Sequence, residues 1–227
     1  MTATSTKTSP PEPRRRRKNN PESVRADILA VATREFSEKG LSGARIDEIA
    51  EQTRASKRMI YYYFSDKETL YLHTLEAAYQ KVRLQEAELD LDHLPPLEAL
   101  SRLVRFTFCH HAKNPDFIRL VMIENIHHGR FLAQSKLIQS LNAGVIDALT
   151  NVYLRGVEEG CFREGLDPRE LHWLISALSF FNVSNQHTFS RIFDWQQAAP
   201  ENQRKLEEHV TDMVLRYVRP DEVTPQP

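Results

Sequence analysis

Cysteine and glycine are both scarce in this chain. Of 227 residues only two are Cys, Cys109 and Cys161, and seven are Gly. Two isolated thiols without a CxxC spacing exclude a disulfide framework and a zinc knuckle. They read as buried, reduced side chains of a cytoplasmic protein. The low glycine content, with no runs of alternating Val, Ile and Thr, argues against a sheet. No apolar stretch reaches the ~20 residues that cross a bilayer, so no membrane partner is expected. The polar and then basic N-terminus lacks the apolar segment of a secretory signal. There is no HExxH pair, no Gly-rich phosphate loop and no GxSxG elbow. Neither sign of charge is in excess: 30 Lys+Arg face 31 Asp+Glu, a net charge of −1.

What the chain does have is helix formers. Long stretches of Ala, Leu, Glu, Arg and Gln predict an all-α fold of about nine helices. Residues 1–20 carry Thr, Ser, Pro and the run Arg14-Arg15-Arg16-Arg17-Lys18. With nothing apolar to bury, they are expected to be a disordered basic arm, either following a nucleic-acid backbone or simply solvated. Pro21-Glu22-Ser23 opens the first helix, whose stripe is Val24, Ile28, Ala32 and Phe36, with Gly40 as its stop. Short helices around Ile46–Ala50 and Lys57–Phe64 turn Ile46, Ile49, Ile60 and Phe64 inward. Ser65 is the expected N-cap of a helix to about residue 89, with Glu68 completing a capping box. Further helices are expected near 97–111, 117–125, 131–159, 168–191 and 201–218. This divides the chain into a three-helix head (21–66), a larger helical body (67–218) and a polar tail (219–227).

The charge is unevenly distributed. Residues 1–75 hold 14 Lys+Arg against 10 Asp+Glu, and the remainder hold 16 against 21. A basic head on an acidic body suits an approach to DNA phosphates. The two short helices joined by a tight turn read as a helix-turn-helix, whose second helix enters the major groove. Its first residues, Ser56, Lys57, Arg58 and Met59, would face base edges, where Arg and Lys donate to guanine. Tyr61, Tyr62 and Tyr63 follow. Neighbours on a helix are ~100° apart, so at least one of the three must be partly core; Lys57 and Tyr62 are expected to be the most exposed. Arg45 and Lys67 are candidate phosphate contacts.

Three segments in this order carry a resemblance: Phe36-Ser37-Glu38-Lys39-Gly40, Ile46-Asp47-Glu48-Ile49-Ala50, and Ser56-Lys57-Arg58-Met59-Ile60-Tyr61-Tyr62-Tyr63-Phe64 followed by Asp66-Lys67-Glu68. They resemble the DNA-binding domain of the tetracycline-repressor family of transcriptional regulators. Arg54 stands where that family usually has Gly or Asn, so the turn is expected to be shaped differently here. Arg45 replaces a capping Thr or Ser, and Arg58 replaces a frequent Gly.

The resemblance implies a homodimer on palindromic double-stranded DNA, joined through its last two helices. Those helices carry Leu171, Leu174, Ile175, Leu178, Phe181 and Phe189, then Leu206, Val210, Met213, Val214 and Tyr217, more apolar surface than two peripheral helices need. It also implies a cavity for a small-molecule effector, with candidate lining residues Phe106, His110, Ile123, Asn125, His127, Phe131, Trp173 and Asn182. Short matches in the C-terminal half, such as Asn114-Pro115-Asp116-Phe117, resemble the branch containing the pyrimidine-utilisation regulator and suggest a small ring-shaped metabolite. No cofactor, metal or catalytic residue is expected. Two alternatives stay open: a DNA-binding dimer without a sensor, and, from His110-His111 and His127-His128 with Asp116 or Glu124, a metal-dependent enzyme.

Overall fold

Proline punctuates this fold. In the computed structural model, which describes residues 20–220, half of the ten α-helices begin on a proline, whose missing N–H costs nothing in a first turn. The helices are α1 (Pro21–Gly43), α2 (Ile46–Gln52), α3 (Lys57–Phe64), α4 (Lys67–Ala87), α5 (Pro96–Lys113), α6 (Pro115–Ile126), α7 (Lys136–Glu158), α8 (Pro168–Ser184), α9 (Gln186–Ile192) and α10 (Pro200–Val218). Short 3-10 turns at Leu91–His93 and Leu132–Gln134 precede α5 and α7. The all-α expectation holds. The tenth helix comes from a break at Asn185, which divides the predicted 168–191 helix into α8 and α9. The basic arm, residues 1–19, and most of the expected tail, residues 221–227, lie outside the described residues.

Other boundaries need correction. Gly40 does interrupt α1, at φ 67°, but one more turn follows to Gly43. Ser65 is not the cap of α4. It closes α3 at φ 60°, and the side chain of Asp66 accepts from the Thr69 N–H at 2.7 Å instead. The 131–159 segment is a 3-10 turn followed by α7. Ser135 caps α7, accepting from the Ile138 N–H at 3.1 Å and donating to Glu76 on α4 at 2.7 Å.

Two apolar cores result. The first is built by α1, α2 and α3 and closed by the first half of α4: Ile28, Ala32, Phe36, Ile49, Ile60, Phe64, Leu70, Tyr71 and Leu75 are all buried there. Leu120, Phe131 and Ile138 of the body join the same cluster. The second gathers Leu100, Leu103, Val104 and Phe108 of α5, Leu149, Val152 and Tyr153 of α7, Leu171 and Ile175 of α8, and Val210, Val214 and Val218 of α10. Gly156 is required in it, because a Cβ there would lie 2.0 Å from the Phe162 ring, which stacks on Tyr153.

The joint between the cores is aromatic and polar. Tyr71 on α4 sits edge-on between Phe36 and Phe131, with both centroid distances 5.1 Å. Beside it Glu124, at the end of α6 and 1% exposed, accepts from the Phe131 and Leu132 N–H groups, both at 3.1 Å. Its carboxylate satisfies two buried donors of the connecting turn. Replacing Glu124 with Leu strands both donors and is expected to destabilise the protein by about 2–4 kcal/mol, read as a lower urea midpoint at unchanged slope.

Candidate functional site

The α2–α3 unit is positioned by contacts to α1. Lys39 of α1 pairs with Glu35, at 3.0 Å, and with Glu48 of α2. The Arg45 N–H, just ahead of α2, donates to Glu35 at 3.3 Å. Arg45 makes no side-chain cap for α2, and its side chain is exposed. The turn is built without a left-handed residue: Thr53 is extended, and Arg54 does not have positive φ. In place of a glycine, the Thr53 hydroxyl accepts from the Ala55 N–H at 3.2 Å, and the Arg54 N–H donates to Asp27 of α1 at 3.1 Å. The Arg54 departure is thereby absorbed by a side-chain turn that spacing alone did not signal.

Helix α3 starts at Ser56, whose hydroxyl accepts from the Met59 N–H at 3.3 Å. Ile60 and Phe64 are buried beneath it. Lys57, Arg58, Tyr61 and Tyr62 face outward, Tyr62 at 83% exposure, while Tyr63 is the half-buried member of the three. Lys57 and Arg58 occupy the helix N-terminus, where the dipole disfavours cations. Asp47 of α2 offsets this, lying 2.7 Å from the Lys57 ammonium. The pair holds the Asp47 carboxyl below its ordinary range and raises Lys57. Sequence reasoning did not single out Asp47. Lys67 is half-buried and donates to the Ala44 carbonyl at 3.1 Å, which ties it to the α1–α2 link.

A second feature lies in the body. Helices α4 to α8 border an open cavity of about 380 Å³ lined by Tyr79, Arg83, His111, Phe117, Val121, Asn125, Asn142, His172, Trp173, Ser176, Ala177 and Phe180, with Trp173 67% exposed at its rim. Of the eight candidate lining residues, the structure brings only Asn125 and Trp173 to it. Phe131 is in the head–body core and Ile123 packs against that core. His127 is exposed. Phe106 and His110 line a crevice on the outer side of α5. Asn182 is locked in a buried amide knot: Gln197 donates to its carbonyl oxygen at 2.7 Å and to its Oδ1 at 2.8 Å, and Asn182 donates to Gln203 at 2.9 Å. Arg83 and His111, two of the polar groups of the wall, were missed as lining residues because their convergence depends on how α4 crosses α5.

The outer faces of α8 and α10 also differ from expectation. Leu171, Ile175, Val210 and Val214 belong to the subunit's own second core, so they present no open face. Leu174, Leu178, Phe189 and Leu206 are half-buried, while Phe181, Met213 and Tyr217 are exposed at 50%, 54% and 38%. Cys109 and Cys161 are half-buried, and burial raises both thiols.

Residues 28–74 match the family described as bacterial regulatory proteins, tetR family, and residues 96–214 match the tetracyclin repressor-like, C-terminal domain. The HTH-type transcriptional repressor NicS of Pseudomonas putida is 31% identical over 196 residues, covering 86% of this chain and 92% of that protein. The HTH-type transcriptional regulator RutR of Escherichia coli K12 is 29% identical over 150 residues, 66% of this chain and 69% of RutR. The ketosteroid transcriptional regulator KstR2 of Mycobacterium tuberculosis superposes with a TM-score of 0.66 at 20% identity, over 87% of this chain and 95% of that one. At that identity the likeness is one of fold.

Buried histidines give the body a pH dependence. Burial, reinforced by Lys81 and Arg83, lowers His110 to about 4; burial, reinforced by His110, Arg83 and His172, lowers His111 to about 4. Unfolded, each titrates near 6.5. Between those values the unfolded chain binds more protons, so stability is full above ~6.5 and falls as pH drops toward 4. The expected loss is about 1–3 kcal/mol per histidine. Melting temperatures from pH 7.5 to 4.5 check this, and His111→Phe is expected to flatten the profile.

Proposed function

Because this chain belongs to the bacterial tetR family of transcriptional regulators, we propose that it acts as a homodimeric repressor that binds a palindromic operator and is released by a small-molecule effector. The observation that carries this reading is the face of α3: Lys57, Arg58, Tyr61 and Tyr62 exposed on a short helix whose other face, Ile60 and Phe64, is buried. A rigid helix with cations at its leading end and a phenol on its flank fits a major groove, the cations on base edges and the phenols on phosphate or sugar. Residues 21–66 serve as the reading head and 67–218 as the effector-binding and dimerising body. Ser56, Tyr63, Arg45 and Lys67 support the docked helix from its ends.

Two heads on one palindrome require a two-fold partner. The second copy is proposed to cover the stripe of Leu174 and Phe181 on α8 and of Met213 and Tyr217 on α10, while Leu178 packs on the subunit's own second core. Dimeric relatives, and too much exposed apolar surface for a free subunit, support this. The α4–α8 cavity, with its aromatic walls and a few polar groups, supports the effector site. The protein would work in the cytoplasm, where its DNA lies.

Mobility shifts on the DNA upstream of its own gene test the reading. Lys57→Ala and Tyr62→Ala are each expected to weaken binding about tenfold without loss of fold by circular dichroism. Unchanged shifts for both would refute the placement of α3. The double variant Phe181→Asp/Met213→Asp is expected to sediment as a monomer and to lose operator binding.

A further inference from the structure

The α4–α8 cavity has four aromatic rings in its wall (Tyr79, Phe117, Trp173 and Phe180) but only one permanent charge, on Arg83. The side chain of Arg83 is 16% exposed. A guanidinium carries five N–H donors in a planar fork. Nη1 meets the Glu86 carboxylate, and among the described residues Nε is buried without a partner. Nε has no surface open to the cavity, so Nη2, which no hydrogen bond among the described residues engages, is the donor left for an occupant. Glu86 holds Nη1 as an ion pair; burial raises its carboxyl and Arg83 opposes that.

The other polar groups narrow the choice. His111 is buried with Nδ1 unpartnered and stays neutral at physiological pH, held at about 4 by its burial, by His110, Arg83 and His172. Burial and Arg83 lower His172 as well. The wall therefore offers one positive charge, partly offset by its pairing with Glu86, and no second one for a dianion or a phosphate. Asn125 and Asn142 donate to backbone carbonyls of their own helices, Val121 and Ile138, at 2.9 and 2.8 Å. Their side-chain oxygens are left to accept from a hydroxyl or N–H on a ligand ring. Tyr79 and Phe117 already meet edge to face at 5.1 Å, and a flat ring extends that packing.

We infer that the effector is a small planar monocarboxylic acid, its ring held between the aromatic walls and its carboxylate on Nη2 of Arg83. This rests on the cavity being the effector site and adds the charge and shape of its occupant. Isothermal titration of the full-length protein with benzoate and 4-hydroxybenzoate, against benzamide and 4-hydroxybenzamide, tests it. The acids are expected to bind more tightly than their matched amides by roughly 10- to 100-fold. Arg83→Gln is expected to erase that difference. Because it strands Glu86, Arg83→Gln/Glu86→Gln is measured beside it, with thermal melts to verify folding. Arg83→Lys, which keeps the charge and loses the fork, is expected to recover only part of the preference.

Amides that bind as tightly as the acids, acids that bind the double variant as tightly as the native chain, or no binding by either series at millimolar concentration would each overturn the inference. Mobility shifts separate the two layers. If neutral ring compounds release the upstream DNA while acids do not, the sensor reading stands and the carboxylate assignment falls; if no compound of either kind releases it, both fall.

Discussion

Tyr71 is the hinge pin on which the remaining arrangement depends. Its ring is wedged between Phe36 of the head and Phe131 of the body, and burial together with the adjacent Glu124 carboxylate pushes its phenol far above the ordinary value. It cannot shift without opening a void in a close-packed core. Because α4 is one uninterrupted helix, Tyr79 and Arg83, two and three turns further along, move with it. Arg83 is ~18 Å from Tyr71 along the axis at 1.5 Å per residue. An occupant that prefers one position of Arg83 over another must therefore also prefer one position of the head. Allosteric couplings are typically ~1–3 kcal/mol, within reach of a few altered contacts along one rigid rod. Tight binding without such a preference would shift nothing.

The electrostatics of the reading head are local. Residues 1–19 carry six Lys+Arg and one Asp+Glu, so the basic excess of the first 75 residues comes wholly from the arm; residues 20–75 hold eight cations and nine acids. What concentrates positive charge is the placement of Lys57 and Arg58 at the start of α3, the end where a helix dipole disfavours them. The Asp47–Lys57 pair tempers that conflict in the free protein. At α3 this departure from helix design lies where a ligand of opposite charge would repair it, as expected of a functional surface.

Helix periodicity and proline placement made most of the fold legible. The stripe Val24–Ile28–Ala32–Phe36, the inward Ile60 and Phe64, and the starts at Pro96, Pro115 and Pro168 all read directly from spacing. Periodicity reveals an apolar face but not what covers it. Leu171, Ile175, Val210 and Val214 show the right spacing for a partner surface and are spent inside the subunit. The cavity was least legible, because lining residues are chosen by how helices cross. Phe106 and His110 lie on the side of α5 turned away from the cavity, while His111, ~100° further round, faces it. Ser65 lost the capping role to Asp66 because the chain needed a left-handed residue between α3 and α4.

Helix α8 shows why the cavity and the proposed partner surface are not independent modules. Its three faces have separate duties: Leu171, Ile175, Leu178 and Asn182 pack on the second core and the amide knot; His172, Ser176 and Phe180 line the cavity; Leu174 and Phe181 lie on the remaining face, Phe181 at 50% exposure. The knot of Asn182, Gln197 and Gln203 fixes the helix's far end to the segment entering α10. A ring pressed against Phe180 therefore acts on a rod already pinned at one face. Rotation would break the amide knot, whereas a small slide along the proposed partner surface would cost less. Helix slides of ~1–2 Å at subunit interfaces are a recurrent form of allosteric change. The same ligand would thus act on the head through α4 and on the spacing of two heads through α8, and the two effects add only if both helices favour the same dimer geometry.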